Sequence, residues 1–144
     1  MDGGLSQLLL GNGKGAFTPV SPEKSGLIVS KDAKSLVATD FNRDGRMDFI
    51  VASNNNYLQA FQNQIEGTYA SLFDLAGLGQ DKLIPGSRVE VEFESGRVSV
   101  REVYAGSGYL SQSSQRLYFG RPNGDAPANI KIRWSDGSVT EHEP

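Results

Sequence analysis

The chain has 144 residues, a net charge of −3 and no cysteine, which excludes a disulfide framework and any Cys-ligated zinc or iron–sulfur centre. Residues 1–67 carry six basic and seven acidic groups and residues 68–144 carry eight and ten. Neither half has the basic excess that a phosphate backbone demands, which argues against nucleic acid as a partner. No apolar run approaches the ~20 residues of a membrane span.

The first element is an apolar strand at Leu8, Leu9 and Leu10, followed by Gly11, Asn12, Gly13, Lys14, Gly15, Ala16 and Phe17. Three alternate glycines after a strand superficially suggest a nucleotide loop. But Pro19 and Pro22 follow, the spacing is neither GxGxxG nor GxxxxGK[ST], and no helix N-terminus is predicted to hold a phosphate. The run is therefore expected to be a β-turn. Next come two short apolar runs, Leu36, Val37, Ala38 and Thr39, then Phe49, Ile50, Val51 and Ala52. Their β-branched content predicts two buried strands.

Between those strands lies the most informative segment, Asp40-Phe41-Asn42-Arg43-Asp44-Gly45-Arg46-Met47-Asp48. Side-chain oxygens fall at loop positions 1, 3, 5 and 9, and Gly45 at position 6 permits a sharp turn. Hard cations take six to eight oxygens at ~2.3–2.6 Å, and a short loop of alternating Asp and Asn can direct several inward. The spacing predicts a calcium site with side-chain ligands Asp40, Asn42, Asp44 and Asp48 and the main-chain carbonyl of Arg46. It departs from the EF-hand at position 12, where Val51 replaces the bidentate Glu, and its flanks are strands rather than helices. Calcium lowers the pKa of bound water far less than zinc does, and no base lies nearby in the sequence, so the expected role of the ion is structural.

A second copy of the first element follows. Leu10, Asn12, Gly15 and Phe17 find counterparts in Phe61, Asn63, Gly67 and Tyr69, at an offset close to the ~40–50 residue period of propeller blades. With its DxNxDGxxD loop set between strands, the segment of residues 5–69 resembles the FG-GAP/VCBS repeat, a β-propeller blade unit.

From Ser87 onward the pattern is β. Val89, Val91 and Phe93 alternate with Arg88, Glu90, Glu92 and Glu94, which predicts one buried and one wet face. Ser95-Gly96 reads as a two-residue hairpin turn, with Val98 and Val100 returning on the buried face. Val103 breaks that phase and predicts a bulge near Arg101 and Glu102. Leu117 and Phe119, then Ile130, Ile132 and Trp134, form further inward alternations, and Asp136-Gly137 marks another hairpin turn before Val139. No segment shows a convincing helical period. The loop of residues 106–114, rich in hydroxyls and amides, is the candidate ligand-binding surface through Ser107, Tyr109, Ser111 and Gln112. Glu90, Glu92 and Glu94 read as a solvated strand face rather than catalytic carboxylates. His142, close to the end, is expected to fray rather than act as a base.

Residues 84–89, Arg101-Glu102-Val103, Gly106-Ser107-Gly108-Tyr109-Leu110-Ser111-Gln112-Ser113, Tyr118-Phe119-Gly120 and Trp134-Ser135-Asp136-Gly137 resemble the ASPIC/UnbV domain. That domain stands at the C-terminal end of FG-GAP-repeat proteins such as the cartilage acidic protein family. Two turns depart from the family pattern: Arg121-Pro122 replaces a Leu-Gly, and Ser135 replaces a proline. The expected architecture is all-β, with one propeller-blade-like calcium repeat (1–67) joined to a small β-sandwich or open barrel (68–144). The resemblance implies a non-enzymatic, extracytoplasmic calcium-binding module from the C-terminal end of a larger binding or adhesion protein, with an unknown protein or glycan ligand. Its export signal is expected outside this sequence, because residues 1–30 show no basic stretch followed by an apolar run. Two alternatives fit the same residues: an accessory domain of an exported enzyme, and a carbohydrate-binding module using the 106–114 loop. Leu8, Leu9, Leu10 and Phe49, Ile50, Val51 make barely one repeat period, so self-association through open strand edges is expected.

Overall fold

A computed structural model describes residues 4–30, 32–79 and 81–144. It is all-β, 43% strand and 5% helix, in several sheets that do not close into a barrel. In chain order the strands are β1 (Leu8–Gly11), β2 (Phe17–Val20), β3 (Ala33–Thr39), β4 (Asp48–Ser53), β5 (Gln59–Phe61), β6 (Thr68–Phe73), β7 (Arg88–Phe93), β8 (Val98–Glu102), β9 (Leu117–Pro122), β10 (Pro127–Arg133) and β11 (Val139–His142). One helical turn, α1 (Pro22–Ser25), and a 3₁₀ turn at Leu75–Gly77 complete the set. Among the described residues, no helix is long and apolar enough to cross a membrane.

The internal repeat is visible as repeated local chemistry. Asn12 Oδ1 accepts the N–H groups of Lys14 at 2.8 Å and Ala16 at 3.1 Å. Asn63 Oδ1 likewise accepts Ile65 N–H at 3.0 Å. Each Asn side chain mimics a turn of main chain, and Gly15 and Gly67 both take positive φ, 85° and 69°. The two copies then diverge. In the first, β2 folds back antiparallel on β1. In the second, β5 pairs with β4, but β6 leaves to pair with β9 along its whole length, Thr68 opposite Pro122 through Phe73 opposite Leu117. The outgoing strand of the repeat is thus built into the C-terminal half.

The sheet β3-β4-β5 is less buried than the apolar runs predict. Within β3 and β4 only Val51 is a buried hydrophobe, at 3% exposure, while Leu36 is 45% exposed. Its cluster is small: Val51 with Leu27 and Val29, flanked by Leu8, Phe49 and Phe61. Three strands with β3 at an edge cannot cover both faces of their apolar runs.

The main core lies in the C-terminal half, where the sheet β11-β10-β7-β8 and the pair β6-β9 share one cluster: Leu75, Val89, Val91, Phe93, Val103, Leu117, Phe119, Ile130, Ile132 and Trp134. Phe73 meets Phe119 edge-on at 5.4 Å. The inward alternations of β7, β9 and β10 stand as expected. Those of β8 do not. Phe93 N–H donates to Arg97 O at 2.9 Å, so the hairpin loop is the three residues Glu94, Ser95 and Gly96, with Gly96 at φ 80°. A one-residue change in loop length turns every side chain of the return strand to the other face. Val98 therefore lies opposite Glu92 and Val100 opposite Glu90, and Val98 is 53% exposed. The same shift puts Val103 in phase with the core, with an unbroken register through Arg101 and Glu102, and the expected bulge is not formed. His142, expected to fray, closes β11 opposite Ile130 of β10 and sits 2.9 Å from Thr140 Oγ1.

Trp134 anchors this half: it is 1% exposed, and its indole N–H donates to Thr140 Oγ1 at 2.9 Å. A Cβ at Gly79 would stand 2.6 Å from the Trp134 ring at Cζ3 and 3.0 Å from Lys82 Cβ. The ring cannot retreat, because it is buried and hydrogen-bonded. Gly79→Ala is expected to cost about 1–3 kcal/mol, the usual range for overpacking a core, read as a lower denaturation midpoint. An unchanged midpoint would show that Gly79 is not packed on the indole.

Candidate metal centre and adjoining cleft

The loop between β3 and β4 gathers its predicted ligands by hydrogen bonding to its own main chain. Asp40 Oδ1 accepts Asp44 N–H at 3.0 Å and its Oδ2 accepts Gly45 N–H at 2.9 Å. Asn42 Oδ1 converges on the same Asp44 N–H at 3.2 Å. Asp44 Oδ1 accepts Arg46 N–H at 2.9 Å. Gly45, at φ 82°, makes the left-handed turn that brings these groups round, a conformation open to glycine at little cost.

Asp48 behaves differently from the others. It is 1% exposed, and its carboxylate accepts Phe41 N–H at 3.3 Å and Asn63 N–H at 2.8 Å. It therefore closes the loop on one side and holds the turn after β5 on the other. A buried carboxylate persists only when its oxygens are satisfied in this way.

Asp44 is turned toward Arg46, whose guanidinium lies 2.6 Å away. Asn42 Nδ2 at 2.8 Å and Gln62 Nε2 at 3.4 Å also reach its Oδ2. Burial acts to raise the Asp44 pKa, but the hydrogen bonds from Asn42, Arg46 and Gln62 outweigh it and hold the pKa lowered, to about 2. Arg46 Nε is buried without a partner, so the guanidinium grips Asp44 through one nitrogen only. Among the described residues, no group of three or more His, Cys, Asp or Glu is arranged to hold a metal ion. The hard oxygens of Asp40, Asn42, Asp44 and Asp48 suit calcium chemically, while Asp44 Oδ2 is engaged by Arg46, Asn42 and Gln62.

Two contacts around the loop were not legible as part of the site. Ala70 N–H of β6 donates to Gly45 O at 2.7 Å, and Gln62 reaches Asp44. The one sequence signal for them is the repeat, which marks Asn63 and its surroundings as the copy of the Asn12 turn.

The candidate ligand loop divides. Ser107, Tyr109 and Ser111 line a cavity of ≈360 Å³ against Leu36 of β3 and Val29 and Val51 of the small core. Gln112 is exposed and lies outside that lining. Tyr109 is 73% exposed at the cavity mouth. Leu110 adopts φ 52°, a strained conformation for a branched side chain.

Comparison with known families follows this division of the chain. Residues 2–51 match the FG-GAP-like repeat and residues 77–144 match the ASPIC and UnbV family. No match is found among curated proteins. The chain carries a single FG-GAP-like repeat followed by an ASPIC/UnbV domain; both are usually extracellular β-modules.

Removing the Asp48 carboxylate leaves the Phe41 and Asn63 N–H groups without their acceptor. Asp48→Ala is expected to destabilise the protein by about 1–3 kcal/mol in chelator-treated buffer, measured by urea denaturation. An effect confined to buffer with calcium would place the role of Asp48 wholly in metal binding.

Proposed function

We propose that this chain is a non-catalytic, extracytoplasmic calcium-binding β-module belonging to a larger binding or adhesion protein. The observation that carries the reading is the convergence of Asp40 and Asn42 oxygens on one main-chain N–H, beside the buried carboxylate of Asp48. Such a loop is half-assembled before any ion arrives. The ion would be held by Asp40, Asn42, Asp44 and Asp48 with the Arg46 carbonyl, and its positive charge would draw the three carboxylates together. Domain boundaries at 1–67 and 68–144 suit the observed hand-over, because β6, the first strand after residue 67, pairs only with β9.

The predicted affinity is weak. Position 12 lacks its Glu, and Asp44 must be drawn from Arg46, so dissociation constants of ~10⁻⁴–10⁻³ M are expected, the range of extracellular modules. Calcium at millimolar concentration is expected to raise Tm by mass action, and Asp44→Ala to remove that rise. Titration calorimetry showing no heat at millimolar calcium in the native chain would overturn the metal assignment.

Self-association is expected through the β1–β2 hairpin, where Leu9, Leu10 and Phe17 are 51%, 58% and 66% exposed. Apolar strand edges of this kind template pairing. Light scattering should show mass rising with concentration, and Leu10→Lys should return the protein to monomer.

A further inference from the structure

The ≈360 Å³ cavity is built by both family-matched stretches, the repeat on one side and Ser107, Gly108, Tyr109 and Ser111 of the C-terminal domain on the other. Its volume falls in the ~300–1,000 Å³ range of small-molecule sites, which favour the junctions between domains. The inner wall is apolar: Leu27, Val29 and Val51 line it and all three are buried. The hydroxyls of Ser6, Ser35, Ser107 and Ser111 share that lining. Ser107 Oγ accepts Ser113 N–H at 3.4 Å and keeps its own O–H to donate. Ser111 Oγ donates to Tyr109 O at 3.4 Å and keeps its lone pairs to accept. The one ionic side chain of the lining, Lys34, is paired with Asp32 at 2.7 Å, so the cavity offers no free charge to a ligand.

The edge of β3 adds one main-chain donor and acceptor. Ser113 Oγ accepts Ala38 N–H at 3.3 Å, so that N–H points away from β4. By the alternation of an antiparallel ladder, the N–H and C=O of Leu36 point the same way. With Ala38 N–H taken by Ser113, this is too short a run for an added strand. It suits a small ligand with neighbouring hydroxyls.

The wall carrying Tyr109 is shaped in advance. Gly108 and Ser111 face each other in an isolated bridge, and a Cβ on Gly108 would stand 3.2 Å from Ser111 O. Between them Leu110 is held at φ 52°, and strain of this kind gathers at ligand clamps. The turn leaves Tyr109 73% exposed at the mouth.

We propose that the cavity binds one neutral pyranose ring of a saccharide. A pyranose has an apolar C–H face and a rim of hydroxyls that each donate and accept. The face matches Val29 and Val51, the rim matches the serines and the Leu36 main chain, and Tyr109 closes over the ring with its own aromatic face. A fatty chain is the poorer occupant, because it would cover the serine hydroxyls without pairing them. An anionic ligand would have to break the Lys34–Asp32 pair.

The proposal rests on reading the chain as a binding module but not on the metal. The probes are methyl glucoside, methyl galactoside and methyl mannoside, followed by saturation-transfer NMR with and without chelator, beside cyclohexanol. Transfer to ring C–H protons of at least one glycoside is expected, with amide exchange slowed at Leu36. Tyr109→Ala should weaken binding about tenfold or more, whereas Tyr109→Phe, which keeps the ring, should retain it. Ser107→Trp, which fills the cavity from an exposed position, should abolish it. Circular dichroism checks that the variants fold. No transfer to any of the three glycosides, transfer unchanged by Tyr109→Ala, or transfer to cyclohexanol as strong as to the glycosides would overturn the proposal. A calcium-dependent rise in Tm without glycoside binding would sink this proposal alone. Glycoside binding without any calcium response would sink the metal assignment alone.

Discussion

The carboxylate of Asp48 is the point through which the N-terminal half is connected. It is the one buried charged group among the described residues, and its two oxygens hold main-chain N–H groups that are far apart in sequence, Phe41 and Asn63. Without them its burial would cost several kcal/mol; with them it fixes the loop against the turn after β5. That turn leads into β6, where Gly45 O receives Ala70 N–H. The placement of β6 then sets its ladder with β9, and β9 brings Leu117 and Phe119 into the main core. One satisfied carboxylate thus lies at the start of a physical path from the acidic loop to the C-terminal sheets.

This path makes the acidic loop a joint between the two halves. The two halves meet where the second copy of the repeat departs from the first. Both copies use an Asn side chain to shape the turn, yet only the first strand pair closes on itself. In the second, the ladder partner comes from a distant part of the chain. The β6–β9 pair is a two-stranded sheet of its own, and it carries the chain of the repeat into the C-terminal half, where Phe73 of β6 packs on the main core.

What was legible in the sequence follows from what each pattern encodes. The inward positions of β7 and β10 follow from period two and a buried face, and both came out as read. The return strand β8 has the same apolar alternation, but its facing is set by loop length, and Ser95-Gly96 fits a two-residue turn as well as the observed three-residue loop. Only the hydrogen bond from Phe93 to Arg97 O decides it. The hydrogen-bonded carboxylates and amide of the acidic loop could be singled out because they fall within nine successive residues. Gln62, Ala70 and the groove beside Leu36 could not, because they depend on where β6 and the 104–116 segment come to rest. Ser135 shows the same limit. Where the family pattern has proline, its hydroxyl donates to Leu83 O at 2.8 Å and ties the β10–β11 turn to the 81–86 segment, a contact no local pattern announces.

The distribution of apolar surface separates the two halves physically. The C-terminal half buries Trp134, Phe93 and Phe119 to 1% exposure or less, and two sheets cover its core. Among the described residues of the N-terminal half, the buried hydrophobes are Leu27, Val29 and Val51, with Leu9, Leu10 and Phe17 left in solvent. A hairpin and a three-stranded sheet supply too few faces to cover their own apolar residues. Its order must come from polar anchors: the Asn12 and Asn63 turns, the Asp48 carboxylate and the Gly45 carbonyl on β6. Polar anchors of that kind hold only while each donor meets its acceptor. Removing one strands a buried group without its partner, a cost that the apolar core of the C-terminal half does not carry.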